Sequence, residues 1–128
     1  MIAYATVGTN DLQRAAAFYD RLFALLEVPR AWETPRGVFW TRGGDDGIFG
    51  VCTPFDGQPA RYGNGVVVGL TAPSDEIAAQ AHALALQLGG TDEGAPGPRG
   101  DGAWFCAYFR DLDGNKLNIV HKRTGAAT

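Results

Sequence analysis

Few side chains in this 128-residue chain carry the chemistry of metal binding or covalent catalysis, and their spacing limits what they can do together. There are two histidines, His82 and His121, and two cysteines, Cys52 and Cys106. A thiolate at either cysteine would be a nucleophile. Neither has a histidine or cationic residue beside it in sequence to lower its pKa, so both read as small buried thiols. His121 lies three residues beyond Asn118, which places the two on opposite faces of a strand. His82 falls at the flank of a helical stripe, a boundary position. Tyr4 as a general base is opposed by the ordinary phenol pKa of about 10. The stretch Asp111-Leu112-Asp113-Gly114-Asn115-Lys116-Leu117-Asn118 combines an Asp-Gly turn with the start of a β-prone run that continues through Ile119 and Val120. It ends on a neutral amide, a hydrogen-bonding group and a poor metal donor.

The elements that must position these residues form a pattern that occurs twice. Residues 2–8 predict a strand, and Asn10 with Gln13 three residues later resembles a capping box. Leu12, Ala15, Tyr19, Leu22, Phe23 and Leu26 then recur at helical spacing and end before Pro29. Three β-like stretches follow, Ala31–Thr34, Gly37–Thr41 and Ile48–Thr53. After a linker rich in Gly, Pro and polar residues, Gly65–Leu70 predicts a fifth strand. Pro73-Ser74 starts a second helix with buried positions Ile77, Ala81, Leu84 and Leu88, ended by Gly89-Gly90. Stretches at Thr91–Ala95, Ala103–Arg110 and Asn115–Lys122 complete the repeat. The expectation is one α+β domain over residues 1–128: module 1 over about 1–54, a linker over about 55–64, and module 2 over about 65–123.

Composition excludes several function classes. The net charge of −3 and scattered Lys and Arg residues supply no basic field for nucleic acid. No apolar run approaches the roughly 20 residues a bilayer requires, so no membrane role is expected. The N-terminus MIAYATVG lacks the features of a signal peptide, and the cysteines form no Cys-x-x-Cys pair. A reduced, cytoplasmic protein is expected.

The Asp111–Asn118 stretch resembles the closing strand of the vicinal oxygen chelate superfamily, which includes glyoxalases, bleomycin-resistance proteins and extradiol dioxygenases. VGTNDLQRAAAFYDRLF, PFDGQPARYGNG and APSDEIAAQAHALALQLGGTDEGAPGPRG extend the resemblance over nearly the whole chain. It implies two tandem βαβββ modules whose curved mixed sheets enclose a cleft, with helices on the outer faces. It also implies a homodimer. Many relatives hold a metal with a first-strand His, a fourth-strand ligand, a fifth-strand ligand and a closing Glu. Those positions fall here on Tyr4, the Phe49–Cys52 stretch, Val67 and Asn118. None offers the carboxylate or imidazole that offsets a cation's lost hydration, so no metal and no cofactor are expected.

Strand alternation predicts the side chains that face the cleft. Ala3, Ala5 and Val7 belong against a helix and leave Tyr4 and Thr6 inward. Val66, Val68 and Leu70 leave Gly65, Val67 and Gly69 inward, and Leu117 and Ile119 leave Lys116, Asn118 and Val120. The expected ligand-binding set is Tyr4, Thr6, Trp40, Arg42, Phe55, Val67, Trp104, Tyr108 and Asn118, rings with a few polar groups that suit a small planar or amphipathic molecule. No catalytic residue is assigned. The leading expectation is a metal-independent small-molecule binding protein. The alternatives are a lyase, isomerase or dioxygenase acting on a small organic substrate, and a scaffold whose cleft is filled by its own side chains.

Overall fold

The two halves of the chain fold by the same plan because each presents one apolar helical stripe and strands with one apolar face. The computed structural model describes residues 1–123. In order, these form β1 (Tyr4–Gly8), α1 (Leu12–Leu25), β2 (Arg30–Glu33), β3 (Gly37–Trp40), β4 (Ile48–Cys52), β5 (Val68–Thr71), α2 (Asp75–Gln87), β6 (Thr91–Arg99), β7 (Trp104–Arg110) and β8 (Lys116–Lys122). Two four-stranded mixed sheets result, ordered β1-β4-β3-β2 and β5-β8-β7-β6. In each, the first strand pairs parallel with the last, and the other pairs are antiparallel. The duplicated βαβββ architecture expected from the sequence is the one observed.

One face of each sheet is closed by its helix. Val7, Val38, Trp40, Phe49 and Val51 are buried beneath α1, and Leu70, Phe109, Leu117 and Ile119 beneath α2, in one continuous core. The expected α1 stripe is buried at Ala15, Tyr19, Leu22, Phe23 and Leu26, joined by Ala16 and Phe18. Phe18 also meets Phe109 of the second module at a ring separation of 6.2 Å.

Four local expectations are corrected. The α1 cap is Asp11, whose side chain accepts from the Arg14 N–H at 3.1 Å. Asn10 does not cap because its side-chain amide pairs with the backbone of Ala60 in the linker, donating at 3.2 Å and accepting at 2.6 Å. The buried stripe of α2 is Ala78, Ala81, His82 and Ala85, while Ile77, Leu84 and Leu88 are half-buried at its margins. Small side chains let this helix settle close to the sheet, and longer ones are displaced sideways. The fifth strand starts at Val68, because Gly65 takes a φ of 94° and pairing with β8 begins at Val68↔Leu117; Val66 is exposed, outside the helix-facing set. β6 runs on to Arg99, past Pro96 and Pro98, through two register shifts. An edge strand tolerates such prolines because only one of its sides must pair.

The turn Asp111–Asn115 also clasps the two modules. Asp111 is buried and accepts from the Tyr19 hydroxyl at 2.5 Å, the Asp113 and Asn115 N–H groups at 2.9 Å each, and Asn115 Nδ2 at 3.0 Å. Asn115 Nδ2 also donates to the Gly8 carbonyl at 2.8 Å, and Asp113 accepts from the Asn10 N–H at 3.1 Å. Burial and the Asp111 charge push the Tyr19 phenol well above its ordinary pKa.

Candidate functional site

Strand alternation leaves each sheet a second face that no helix covers. On the first sheet this face carries Tyr4 and Thr6 from β1, Trp32 from β2, Phe39 from β3 and Cys52 from β4. Tyr4 is 64% exposed. Phe39 stacks on Trp32 with ring centres 4.9 Å apart and planes 12° apart. Its ring also lies over Gly50, where a Cβ would stand 2.5 Å from it and 3.2 Å from the Thr6 methyl. The Cys52 thiol borders the same face and is pushed up in pKa by burial, against a smaller opposing effect of Arg36. A protonated, partly buried thiol is a poor nucleophile.

On the second sheet, Trp104, Cys106 and Tyr108 of β7 alternate with the buried Ala107 and Phe109, which puts them opposite the helix. β8 adds Lys116, Asn118, Val120 and Lys122 to the same face, with Tyr108 directly beside Asn118. Asn118 Nδ2 approaches Cys106 Sγ at 3.6 Å, and its Oδ1 has no hydrogen-bond partner among the described residues. Burial, then the neighbouring Cys106, raises the Tyr108 phenol pKa.

A groove of about 380 Å³ separates the free edges of β1 and β5. Tyr4, Trp40, Arg42 and Val67 all border it. Trp40 is only 1% exposed, packs on Tyr19 and Phe23, and donates its indole N–H to Asp20 at 3.0 Å, so it is chiefly a core residue. Arg42 spends its guanidinium on Asp46 at 3.1 Å and on the Leu26 carbonyl at 2.7 Å. Phe55 stands apart, 90% exposed beneath the Arg36 guanidinium. The expected residues therefore divide into Tyr4 and Thr6 on the first open face, Trp104, Tyr108 and Asn118 on the second, Trp40, Arg42 and Val67 along the groove, and Phe55 on a loop.

Phe39 was absent from the expected set, although its alternation with Val38 and Trp40 carries the signal. Both histidines are structural in placement. His82 is buried in α2 with Nε2 3.0 Å from Asp92 Oδ1 and 3.1 Å from the Tyr108 carbonyl, rather than lying at a boundary. His121 lies on the helix side of β8, opposite Asn118, with Nδ1 2.8 Å from Asp75 Oδ1. Hydrogen bonds from Arg123 and then His121 hold the Asp75 carboxyl below its usual range.

Strand register assigns the fourth-strand ligand position of the resemblance. Asn118 pairs with Gly69 across the parallel β5–β8 ladder, and its counterpart in the parallel β1–β4 ladder is Gly50, which pairs with Thr6. The four positions thus hold Tyr4, Gly50, Val67 and Asn118, and the Phe39 ring occupies the space a longer side chain at Gly50 would enter. A phenol, an amide and two positions without a donor do not fit a divalent cation. No group of three or more His, Cys, Asp or Glu placed to hold a metal occurs among the described residues.

Tandem βαβββ modules with two mixed sheets and an uncovered face on each define a recognised class of fold, and comparison with known proteins identifies it. Residues 1–119 match the family model of the Glyoxalase/Bleomycin resistance protein/Dioxygenase superfamily. A crystal structure of a glyoxalase/bleomycin resistance protein from Albidiferax ferrireducens T118 is 38% identical, with 96% of this chain and 99% of that one covered and a TM-score of 0.88. The chain belongs to this superfamily. A glyoxalase-related enzyme from Fulvimarina pelagi (18% identity, 100% and 95% covered, TM-score 0.74) shares the fold. So does the lactoylglutathione lyase from Agrobacterium tumefaciens (18% identity, 94% and 92% covered, TM-score 0.68). A search of curated proteins finds no match. No helix among the described residues is long and apolar enough to cross a membrane.

Proposed function

We propose that this protein binds a small organic molecule on the open faces of its sheets, without holding a metal through its own side chains. One observation carries the reading: Tyr4, Gly50, Val67 and Asn118 stand at the four ligand positions, and Phe39 covers Gly50. What stands on the open faces instead is a set of rings, Tyr4, Trp32, Phe39, Trp104 and Tyr108, with Thr6 and the Asn118 amide as hydrogen-bonding groups. Rings supply contact area and a few polar groups supply orientation, which is how drug-sized ligands are held.

Titration with Ni²⁺, Zn²⁺, Mn²⁺ and Fe²⁺ followed by calorimetry tests the metal-free part. No stoichiometric binding is expected; a 1:1 site lost in Asn118→Ala or Tyr4→Phe overturns it. Thermal shift against metabolites and antibiotics tests the binding part, with a rise in Tm expected for at least one compound and reduced in Asn118→Ala. We extend the proposal to a cytoplasmic homodimer. Its two cysteines are free, which suits a reducing compartment. Ile2, Tyr4, Trp32, Phe55, Val66 and Val67 are large exposed apolar side chains of the kind a subunit interface covers. Light scattering at the monomer mass would remove the dimer.

A further inference from the structure

The open face of the second sheet carries a charge opposite to that of the chain. The protein has a net charge of −3, yet this face gathers Arg99, Lys116 and Lys122. Strand register sets Arg99, Trp104 and Lys122 side by side and places Tyr108 beside Asn118. The Lys116 ammonium lies 5.3 Å from the centre of the Tyr108 ring, and the Arg99 guanidinium lies 5.9 Å from the same centre. The nearby carboxylates are engaged elsewhere: Glu93 with Arg110 at 2.6 Å, Asp92 with His82 at 3.0 Å, and Asp75 with Arg123 and His121 at 2.8 Å each. Among the described residues, no carboxylate pairs with Lys116, Lys122 or Arg99. Arg99 donates to the Ala95 and Pro98 carbonyls, which orient its guanidinium without neutralising it. Beside this corner the surface is neutral, made by Cys106, Asn118 and Val120. β6 contributes Gly94 opposite Tyr108 and Gly97 opposite Cys106, and the space these glycines leave is entered by the Arg99 guanidinium, which would stand 3.2 Å from a Cβ at Gly97 and 3.6 Å from one at Gly94.

We propose that the corner formed by Arg99, Lys116, Tyr108 and Asn118 receives the anionic group of a small planar organic acid, whose apolar body lies over Cys106 and Val120 toward Trp104. The proposal rests on the small-molecule reading above and gives that ligand its chemical class. A ring quadrupole holds an ammonium in place but leaves its charge to be answered, and a carboxylate, sulfonate or phosphonate answers it through charge-assisted hydrogen bonds. Asn118 lies beside the corner with its Oδ1 buried and unpartnered and its Nδ2 near only the Cys106 thiol, so the amide has hydrogen-bonding capacity that no neighbouring side chain uses. The same charges do not suit a cationic ligand, which the corner would repel.

Three matched probes test the charge preference: 2-naphthoate, 2-naphthalenemethanol and 2-naphthylmethylammonium, titrated calorimetrically at physiological salt. The naphthoate is expected to bind about tenfold more tightly than the alcohol, with the ammonium weakest. Lys116→Met keeps the apolar stem and should reduce that preference to about threefold or less. Lys122 is six residues along β8, roughly 20 Å from Lys116, beyond a Debye length of about 8 Å at physiological salt. Lys122→Met should therefore change the preference by less than about twofold. Equal binding of the three probes, or a preference unchanged in Lys116→Met, overturns the proposal and leaves small-molecule binding standing. If none of the probes binds and no neutral compound raises Tm, both fall together. A ten-residue oligothymidylate that binds while naphthoate fails to displace it would mark the face as a nucleic-acid surface and overturn the proposal.

Discussion

The two open sheet faces share strand order, ladder geometry and position in the repeat, yet present different surfaces. On the first sheet, Phe39 lies across Gly37 and Gly50 and stacks on Trp32, and the face is largely aromatic, with Arg36 close to its Cys52 end. On the second, Gly94 and Gly97 make room beside Tyr108 for the Arg99 guanidinium, and Lys116 and Lys122 add further positive charge. The difference lies in a handful of alternate strand positions, since the helix-facing positions are apolar in both modules. A duplicated scaffold therefore constrains one face of each sheet for stability and leaves the other free to carry recognition. Net charge hides this, because it sums acids and bases over the whole chain, in which acids outnumber bases.

The most severe way to break the comparison is to separate the modules that carry the faces. Asp111→Ala removes the acceptor of four hydrogen bonds, among them the one from Tyr19 of the first module, and should lower stability by about 3 kcal/mol or more. Urea unfolding would show this as a lower midpoint, and an unchanged midpoint would mean that the clasp is dispensable. Next in size is Gly50→Ala, which drives a methyl into the Phe39 ring and should cost about 1–3 kcal/mol. Pairing it with Phe39→Ala in a double-mutant cycle should relieve part of that loss. The same change at Gly69 on the second sheet, where the nearest atom to a new Cβ is 3.8 Å away on Val120, should stay within about 0.5 kcal/mol. Equal costs at the two glycines would erase the claimed difference in crowding.

Two smaller effects sharpen the comparison. Tyr19 has a raised pKa in the folded chain, so its contribution is fully present below about pH 10 and is lost as pH rises through the folded value. Tyr19→Phe should cost about 1 kcal/mol at neutral pH and make alkaline unfolding less steep. An unaltered alkaline limb would show that this phenol is not the titrating group. Lys116→Met and Lys122→Met should each change stability by less than about 0.5 kcal/mol, measured as Tm. A large loss would mean that the lysines of the second face hold the sheet together rather than lie ready for a ligand.

The sequence was most legible where one physical requirement acts alone. Tyr19, Leu22 and Phe23 at helical spacing, and Leu117 and Ile119 at strand spacing, have a single way to bury their surface, and they do so. Legibility failed where two partners compete for one side chain. Asn10 and Asp11 are both good caps, and only the folded linker, by presenting Ala60 to Asn10, leaves the helix to Asp11. In α2 the leucines are the more hydrophobic residues, but close approach to the sheet favours alanines, and nothing local states how near the sheet will be. Trp40 and Phe39 are neighbours of similar character on one strand. Their opposite fates, one fastened in the core by Asp20 and one across the open face, depend on which side α1 covers.

From the sequence alone follow the duplicated βαβββ order and the lack of acid or imidazole at Tyr4, Val67 and Asn118, because these rest on periodicity and side-chain chemistry that are local to the chain. Tertiary structure alone decided that Gly50 is the fourth position and that Phe39 covers it. It also turned the Asp111–Asn115 turn into a clasp between modules and brought Arg99 and Lys116 to the same tyrosine ring. Each of these depends on register between strands distant in sequence, where a shift of one residue would reverse every side chain.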